Sequence, residues 1–353
     1  MTKDELQRQV RGFGEQPILN DTDLSGGEYS GAQIGGGIYH QVSFRNARLS
    51  RAFMKESSFN ECDFSGTSLE GADLRLCNFT SCRFDQANLV KADLGESNLI
   101  QSHLDRADLS HCNTWRANFI ECRFNGAKLV GISSENTSFV NCEFRDSDLS
   151  GSTHQRANFI DPVLGNTEFN KADLNRAFFT NADFSGYTLS DVHFTQCQFL
   201  SANFAGAVLR GNDLTQCGFV EADLTAADLS GAKADKALFL KANLKQARLT
   251  RVNAEMALFI EANLEMTDLT QGRFVQAQFT KAKGLNASFR DTDMTYADFA
   301  HANLSNADFS GASLYRTNLH EILEEDAAHW PTLEKTKALG TNKERAKAEQ
   351  FGK

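Results

Sequence analysis

The sequence predicts an all-β solenoid, a chain that coils by turning a corner every five residues. Three observations carry that prediction. Between Thr22 and Glu321 a large apolar residue returns at every fifth position in one frame, from Leu24, Tyr29, Ile34 and Tyr39 to Leu314 and Leu319. The frame holds 60 such centres without an insertion, and 54 of them are Phe, Leu, Ile, Met or Tyr, so the pattern is a repeat and not a run of chance matches. The residue two before each centre is mostly Ala, Ser, Thr, Gly, Val or Cys. A period of five fits neither the 3.6 of a helix nor the 2 of a plain strand, so alternate inward residues must come from a small site and a large centre on walls that keep changing direction. Of 28 phenylalanines 24 are centres, which places a continuous aromatic and aliphatic core along the axis of the coil.

At 353 residues the chain could hold two or more ordinary domains. The repeat argues instead for one quasi-one-dimensional body over 22–321, with a cap segment over 1–21 and a helical cap or tail over 322–353. A net charge of −10 argues against direct nucleic-acid binding. The start, Met1-Thr2-Lys3-Asp4-Glu5-Leu6, lacks the apolar core of a secretory signal, and no apolar run approaches the roughly 20 residues that span a bilayer. All eight cysteines (62, 77, 82, 112, 122, 142, 197 and 217) fall on the small site, so they read as small buried apolar residues and not as metal or redox groups. Free buried thiols suit a reducing cytoplasm, which is the expected location, with export by a secretion system that needs no signal peptide as the alternative.

The unit itself reads A-(D/N)-(L/F)-x-x, as in Ala72-Asp73-Leu74, Ala92-Asp93-Leu94, Ala202-Asn203-Phe204, Ala222-Asp223-Leu224 and Ala302-Asn303-Leu304. In this it resembles the pentapeptide-repeat family, over about 85% of the chain. The resemblance implies a right-handed quadrilateral parallel β-helix with four units per coil. Sixty units then make about 15 coils, a rod about 70 Å long at the spacing of stacked strands. Asp or Asn before the centre, and Gly or a polar residue after it, suit the corners.

Residues 1–21 are expected outside the repeat, with a helical turn or two over Asp4–Arg11 and with Ile18 and Leu19 covering the first open coil. The glycine-rich stretch 26–37 suggests irregular early coils. The six centres that are not large are Thr114, Ser134, His154, Ala234, Ala254 and Gly284, and with twenty residues per coil the first five share one wall. Thr114, Ser134 and His154 are consecutive there, with Trp115 beside them and Ile132 in a small site. The expectation is a locally rebuilt wall, with a docking notch at Thr114, Trp115, Ser134 and His154 as the alternative. Pro162 and Tyr187, also in small sites, mark local distortions.

On the wall that carries Leu99, Phe119 and Phe139, the residue after each centre should face solvent. There it reads Ile100, Ile120, Val140, Ile160, Thr180, Leu200, Val220, Leu240, Ile260. Phe178, Leu238 and Leu258 flank this stripe, whereas the equivalent site on the wall of Leu24 is mostly polar. An exposed apolar band of this kind marks an interface, either with a protein partner or with a second copy of the chain. The alternatives are a β-branched ladder chosen for strand propensity, or a stripe covered by the chain's own termini.

Past the repeat, Ile322–Trp330 reads as a short helix whose Ile322, Leu323 and Trp330 can cap the last coil, and Pro331 ends it. Thr341-Asn342-Lys343-Glu344 opens a second, polar helix over Lys343–Phe351. The tail Ala338-Leu339-Gly340-Thr341-Asn342-Lys343-Glu344-Arg345-Ala346 resembles the ends of pentapeptide-repeat proteins linked to bacterial type VI secretion. That resemblance implies an accessory or cargo-binding role in contact with a secretion spike, adaptor or effector protein.

No P-loop, GxGxxG, HExxH, zinc spacing or nucleophile elbow occurs, and no histidine pairs with a carboxylate in the frame. Neither catalytic residue, metal nor cofactor is therefore expected, and the leading reading is a non-enzymatic scaffold that binds proteins. A DNA mimic that binds a type II topoisomerase is the alternative, since some members of the family do this. Its most acidic wall, however, nets only about −5 against about 40 phosphate charges on DNA of the same length. The third reading, an effector carried by the rod, leaves only the short tail for an activity.

Overall fold

The computed structural model describes residues 1–10, 17–325 and 329–350. Two compact units divide the chain, Met1–Ala182 and Asp183–Lys353. Both are built by the same rule: parallel backbone bridges join residues twenty apart, or twenty-one where the tail meets the last coil at Asp308–His329 and Asn318–Leu339.

In the first unit α1 (Lys3–Val10) precedes nine three-residue strands of one wall: β1 (Ile18–Asn20), β2 (Ile38–His40), β3 (Ser58–Asn60), β4 (Asn78–Thr80), β5 (Asn98–Ile100), β6 (Asn118–Ile120), β7 (Ser138–Val140), β8 (Asn158–Ile160) and β9 (Phe178–Thr180). Each pairs with the next in a twenty-residue register, as Phe59 with Phe79 and Ile100 with Ile120. Three further columns of bridges run through Asp23–Ser43–Asp63, Glu28–Arg48–Ser68 and Gln33–Phe53–Asp73. Four columns per twenty residues make the quadrilateral coil that the repeat implies.

The second unit begins its version of the strand wall with β10 (Gln198–Leu200) and continues it as single bridges, Gln198–Gly218–Leu238–Leu258–Gln278. Among the described residues the strands therefore number ten, fewer than the fifteen coils the repeat count suggests. The corner after this wall explains the difference. In the second unit Ala222, Ala242 and Ala262 donate N–H to the centres Phe219, Phe239 and Phe259 (3.1–3.2 Å), which closes the corner and leaves one bridged residue per wall.

The unit A-(D/N)-(L/F) has a direct structural cause. The Asp or Asn side chain accepts the N–H of the residue after the centre, as Asp63 Oδ1 does from Ser65 (2.9 Å), Asn88 from Val90 (3.0 Å) and Asp108 from Ser110 (3.0 Å). The centre's carbonyl then accepts the N–H of the next small residue, as Leu49 from Ala52 (3.0 Å). Between them Arg51 has φ 56°, the left-handed third position of a type II turn. Large centres stack in phase: Phe44, Phe64 and Phe84 lie 4.8 Å apart with rings within 5° of parallel. In the second unit Phe239, Phe259 and Phe279 repeat this at 4.7–4.8 Å. Ring spacing equals strand spacing, so one periodicity serves the backbone bonds and the core.

The small site does more than save space. Thr67 Oγ1 donates to the Phe44 carbonyl of the preceding coil (2.6 Å), and the thiols of Cys77, Cys112 and Cys217 make the same bond to Met54, Leu89 and Phe194 (2.8–3.1 Å). Cysteine is thus a small residue that also supplies a weak donor to a buried carbonyl.

At the N-terminus the ladder already starts at Ile18, within the segment expected to lie outside the repeat, because Leu19 is in phase with the centres. Leu19 is buried, while Ile18 faces outward. The cap is α1, whose Leu6 and Val10 are buried. Lys3 Nζ donates to the Ser30 carbonyl, and Gln7 Oε1 accepts the Gln33 N–H. Arg11, expected in this helix, lies outside the described residues. The glycine-rich stretch is regular, contrary to expectation. A Cβ on Gly27 or Gly37 would fall 2.3 or 2.7 Å from the ring of Tyr29 or Tyr39, so these glycines make room for inward tyrosines. Pro162 does distort its coil, since Gly165 takes φ +32° beside Asn166 at 58°.

The helix expected over Ile322–Trp330 is absent at its described residues. Leu323 and His329 instead bridge to Asn303 and Asp308, because the last coil presents unpaired backbone groups that an extended chain satisfies and a helix does not. Leu323 is exposed, and the cap comes from Trp330, stacked on Phe309 at 4.2 Å. Pro331 opens a short helix, α2 (Thr332–Lys335), where it was expected to end one. The polar helix α3 (Lys343–Gln350) forms, with Asn342 Oδ1 accepting the N–H groups of Glu344 and Arg345 (3.1 and 3.0 Å). Phe351 lies outside the described residues.

Candidate protein-binding surface

Alternation sets which side chains reach solvent. With the centre of each strand inside, its two neighbours point out. In the first unit Ile100, Ile120, Val140 and Ile160 are registered neighbours on β5 to β8 and form one aliphatic column. Ile100 and Ile160 are 37% and 38% exposed, and Ile120 and Val140 are half-buried between them. The column beside it is polar: Asn118 donates to Asn98 and Asn98 to Asn78 through side-chain amides (2.8 and 2.9 Å). Phe178, on β9, is exposed.

The second unit has its own column, Leu200, Val220, Leu240 and Ile260, of which Leu200 is the most exposed at 47%. Here the adjoining column is apolar where Leu238 bridges Leu258, between Gly218 and Gln278, and Met256, two residues before Leu258 in the chain, is exposed. This face is therefore broader than its counterpart in the first unit. Further along the same column Ala300 and His320 are buried. The tail reaches His320, through Glu349 of α3 and through the backbone N–H of Asn342 (3.2 Å).

The alternative site at Thr114, Trp115, Ser134 and His154 has a different character. Thr114, Ser134 and His154 are fully buried, so they offer no opening to solvent. Thr114 Oγ1 donates to Ser134 Oγ (2.9 Å), and Thr137 Oγ1 donates to the Thr114 carbonyl (2.5 Å). Small hydroxyl residues thus satisfy one another where larger centres would stack. Trp115 lies outside them, half-buried, under the Arg116 guanidinium at 4.4 Å. Inside, the His154 ring meets Phe159 and Phe139 edge-on, at 5.4 and 6.3 Å. Neither of its nitrogens has a partner, and burial pushes its pKa down to about 3, against a small opposing pull from Asp173.

The thiols are placed for structure. All eight are buried, and desolvation raises Cys77 and Cys217 to about 12 and Cys82, Cys112 and Cys142 well above the ordinary thiol value. Cys62 is lowered, first by its hydrogen bond with Cys82.

One cluster went unseen in the sequence. In the second unit His301 Nε2 lies 3.1 Å and His320 Nε2 3.4 Å from Glu349 Oε2, and His301 Nδ1 lies 3.5 Å from Glu321. Histidines therefore do pair with carboxylates. His301 and Glu321 are twenty apart, a spacing that signals contact in this fold. Glu349 comes from α3, outside the frame, and nothing in the repeat indicates where it lands.

Among the described residues no helix is long and apolar enough to cross a membrane. Several acidic side chains are answered by arginines of the adjacent coil, as Arg45 with Asp63 (2.9 Å), Arg123 with Asp105 (2.7 Å) and Arg210 with Asp228 (2.6 Å).

Comparison with known proteins returns the same repeat. The description "Pentapeptide repeat region" matches residues 72–149, and "Pentapeptide repeats (8 copies)" matches 40–75, 155–191, 188–225, 217–253, 237–274, 257–295 and 285–320. No curated protein matches the chain. Among solved structures it is similar to HetL, a pentapeptide repeat protein involved in heterocyst differentiation regulation from the cyanobacterium Nostoc sp. strain PCC 7120. The identity is 21%, over 76% of this chain and 89% of that one, at a TM-score of 0.27. It is also similar to QnrB1, a plasmid-mediated fluoroquinolone resistance protein, at 21% identity over 51% of this chain and 92% of that one, with a TM-score of 0.36. A pentapeptide repeat protein of the Arabidopsis thaliana thylakoid lumen is 31% identical over 28% of this chain and 65% of that one, at a TM-score of 0.17.

Proposed function

The chain belongs to the pentapeptide-repeat family, and on that premise we propose that it is a non-enzymatic scaffold that binds a protein partner through the aliphatic columns of its walls. The observation that carries this reading is the outward, registered series Ile100–Ile120–Val140–Ile160 in the first unit and Leu200–Val220–Leu240–Ile260 in the second. Apolar side chains aligned by backbone bonds are already ordered before a partner arrives, so little conformational entropy is lost on binding. A contiguous exposed apolar face is costly in water and marks a surface that is covered in use. The partner should present a matching apolar face.

The tail after Trp330 is the reason for placing the partner in bacterial type VI secretion, as a spike, adaptor or effector protein met in the cytoplasm. Topoisomerase binding by DNA mimicry finds less support. In both units some of the acids that would stand for phosphates are paired with arginines, which weakens at those places the field a mimic needs.

The test is light scattering after size exclusion on the wild type and on Ile120→Asp with Ile160→Asp. Both changes are on outward positions, so the far-UV circular dichroism should be unchanged. A wild-type dimer that becomes a monomer identifies the partner as a second copy. A wild-type monomer that co-elutes with a secretion component, and fails to do so as the double variant, identifies a foreign one. Association that survives both substitutions, or their loss of fold, removes the first-unit column from the proposal, and Leu240→Asp with Ile260→Asp then tests the second.

A further inference from the structure

We propose that His301 Nε2, His320 Nε2 and Glu349 Oε2 form a binding site for a divalent transition-metal ion of the zinc type, which fastens α3 to the last coils of the second unit. The three donors come from different places: His301 from one coil, His320 from the next, Glu349 from the tail helix. A carboxylate oxygen 3.1 and 3.4 Å from the two imidazole nitrogens brackets the separation of about 3.3 Å between donors around a tetrahedral ion with bonds of 2.0–2.1 Å. One donor atom from each of His301, His320, Glu321 and Glu349 lies within 4.8 Å of every other.

The surroundings suit a ligand set. His301 turns its other nitrogen, Nδ1, to the Glu321 carboxylate at 3.5 Å. A negative charge on that side favours the tautomer with its proton on Nδ1, which leaves the Nε2 lone pair facing Glu349. Arg345 Nε occupies Glu349 Oε1 at 2.7 Å and leaves Oε2 for the ion. His320 is 1% exposed, so its ring is fixed by packing. Two imidazoles and one carboxylate favour Zn2+ or Co2+ over Mg2+ or Ca2+, which prefer oxygen shells. With three protein donors the fourth position falls to water.

One contact sets the character of the site. The Asn342 N–H points at His320 Nδ1 (3.2 Å), which keeps the proton of the neutral ring on Nε2. An ion at Nε2 moves that proton to Nδ1 and gives up the Asn342 contact. The N-terminal end of α3 therefore responds to the metal, while its C-terminal half is pulled onto the coil through Glu349.

The experiment uses the full chain, stripped with a chelator and dialysed. Titration with Co2+ should give visible d–d bands of tetrahedral intensity that saturate at one equivalent. Zn2+ should raise the thermal midpoint, and Mg2+ should not. His301→Gln and Glu349→Gln should each abolish the Co2+ bands with unchanged far-UV circular dichroism. Glu321→Gln should weaken Co2+ binding about tenfold or more without removing it. The absence of bands at millimolar Co2+, or bands that persist in both His301→Gln and Glu349→Gln, overturns the proposal and leaves the cluster as a hydrogen-bonded clasp. Neither result bears on partner binding by the aliphatic columns, which are at other residues.

Discussion

Replacing His154 by leucine should change how the first unit responds to acid. The side chain is fully buried, its nitrogens have no partner, and its pKa in the folded chain is about 3 against 6.5 unfolded. The folded chain thus refuses a proton that the unfolded chain accepts. For a base held below its unfolded value, stability is full above pH 6.5 and falls as pH drops from 6.5 towards 3. At pH 5 the unfolded state gains about 1.5 units of protonation free energy, or about 2 kcal/mol. That figure depends only on the unfolded pKa as long as the folded one lies well below 5. Its ceiling near pH 3, where the full shift is expressed, is about 5 kcal/mol. In His154→Leu the penalty disappears, and at pH 7 the variant should also gain on the order of 1–3 kcal/mol from no longer burying unpaired nitrogens. The assay is urea unfolding of both proteins at pH 7 and pH 5, read as the difference between their pH-induced changes, in which the other titrating groups cancel. A difference of about 2 kcal/mol is expected. Parallel behaviour, within about 0.5 kcal/mol, would refute the reasoning and mean that His154 is charged or solvated in the folded chain.

Two further outcomes follow from the corners and the small site. Ala226 has φ 55° at a corner, so Ala226→Gly should be neutral or about 1 kcal/mol more stable in chemical denaturation. Ala226→Val, with a branched Cβ in the same conformation, should lose about 1–2 kcal/mol or more. All eight thiols are buried, so iodoacetamide should modify none in the native chain and all eight in denaturant, as counted by intact mass. Fast alkylation of any one without denaturant would contradict the packing described here.

The course of the coil was legible because its cause is local and repeated. Each large centre, each small site and each Asp or Asn that closes a corner contributes to the same twenty-residue register, and outward residues follow from alternation. What the sequence did not disclose has other causes. Gly27 and Gly37 read as loose until the inward rings of Tyr29 and Tyr39 show what fills the space. At Thr114, Ser134 and His154 the pattern indicated a locally rebuilt wall but not what fills it, and hydroxyl-to-hydroxyl bonds and aromatic edges close it from within. The path after Leu319 depends on which backbone groups the last coil leaves open, so helical patterning lost to bridge formation at Leu323 and His329. The His301 and Glu349 contact depends on that path in turn.

Every inter-coil bond in these units joins residues about twenty apart, as Leu49 N–H to the Ser68 carbonyl or Phe239 N–H to that of Leu258. No strand has to wait for a distant part of the chain before it can pair. As the polypeptide leaves the ribosome, each new turn finds its docking edge already made, and α1, which seals the starting edge, is synthesised before any of them. Assembly can therefore proceed as templated growth in the direction of translation, with short loops to close at each step and a low contact order in spite of an all-β architecture. The same geometry gives the growing end one exposed edge at every moment, the place where a stalled chain would pair with a neighbour.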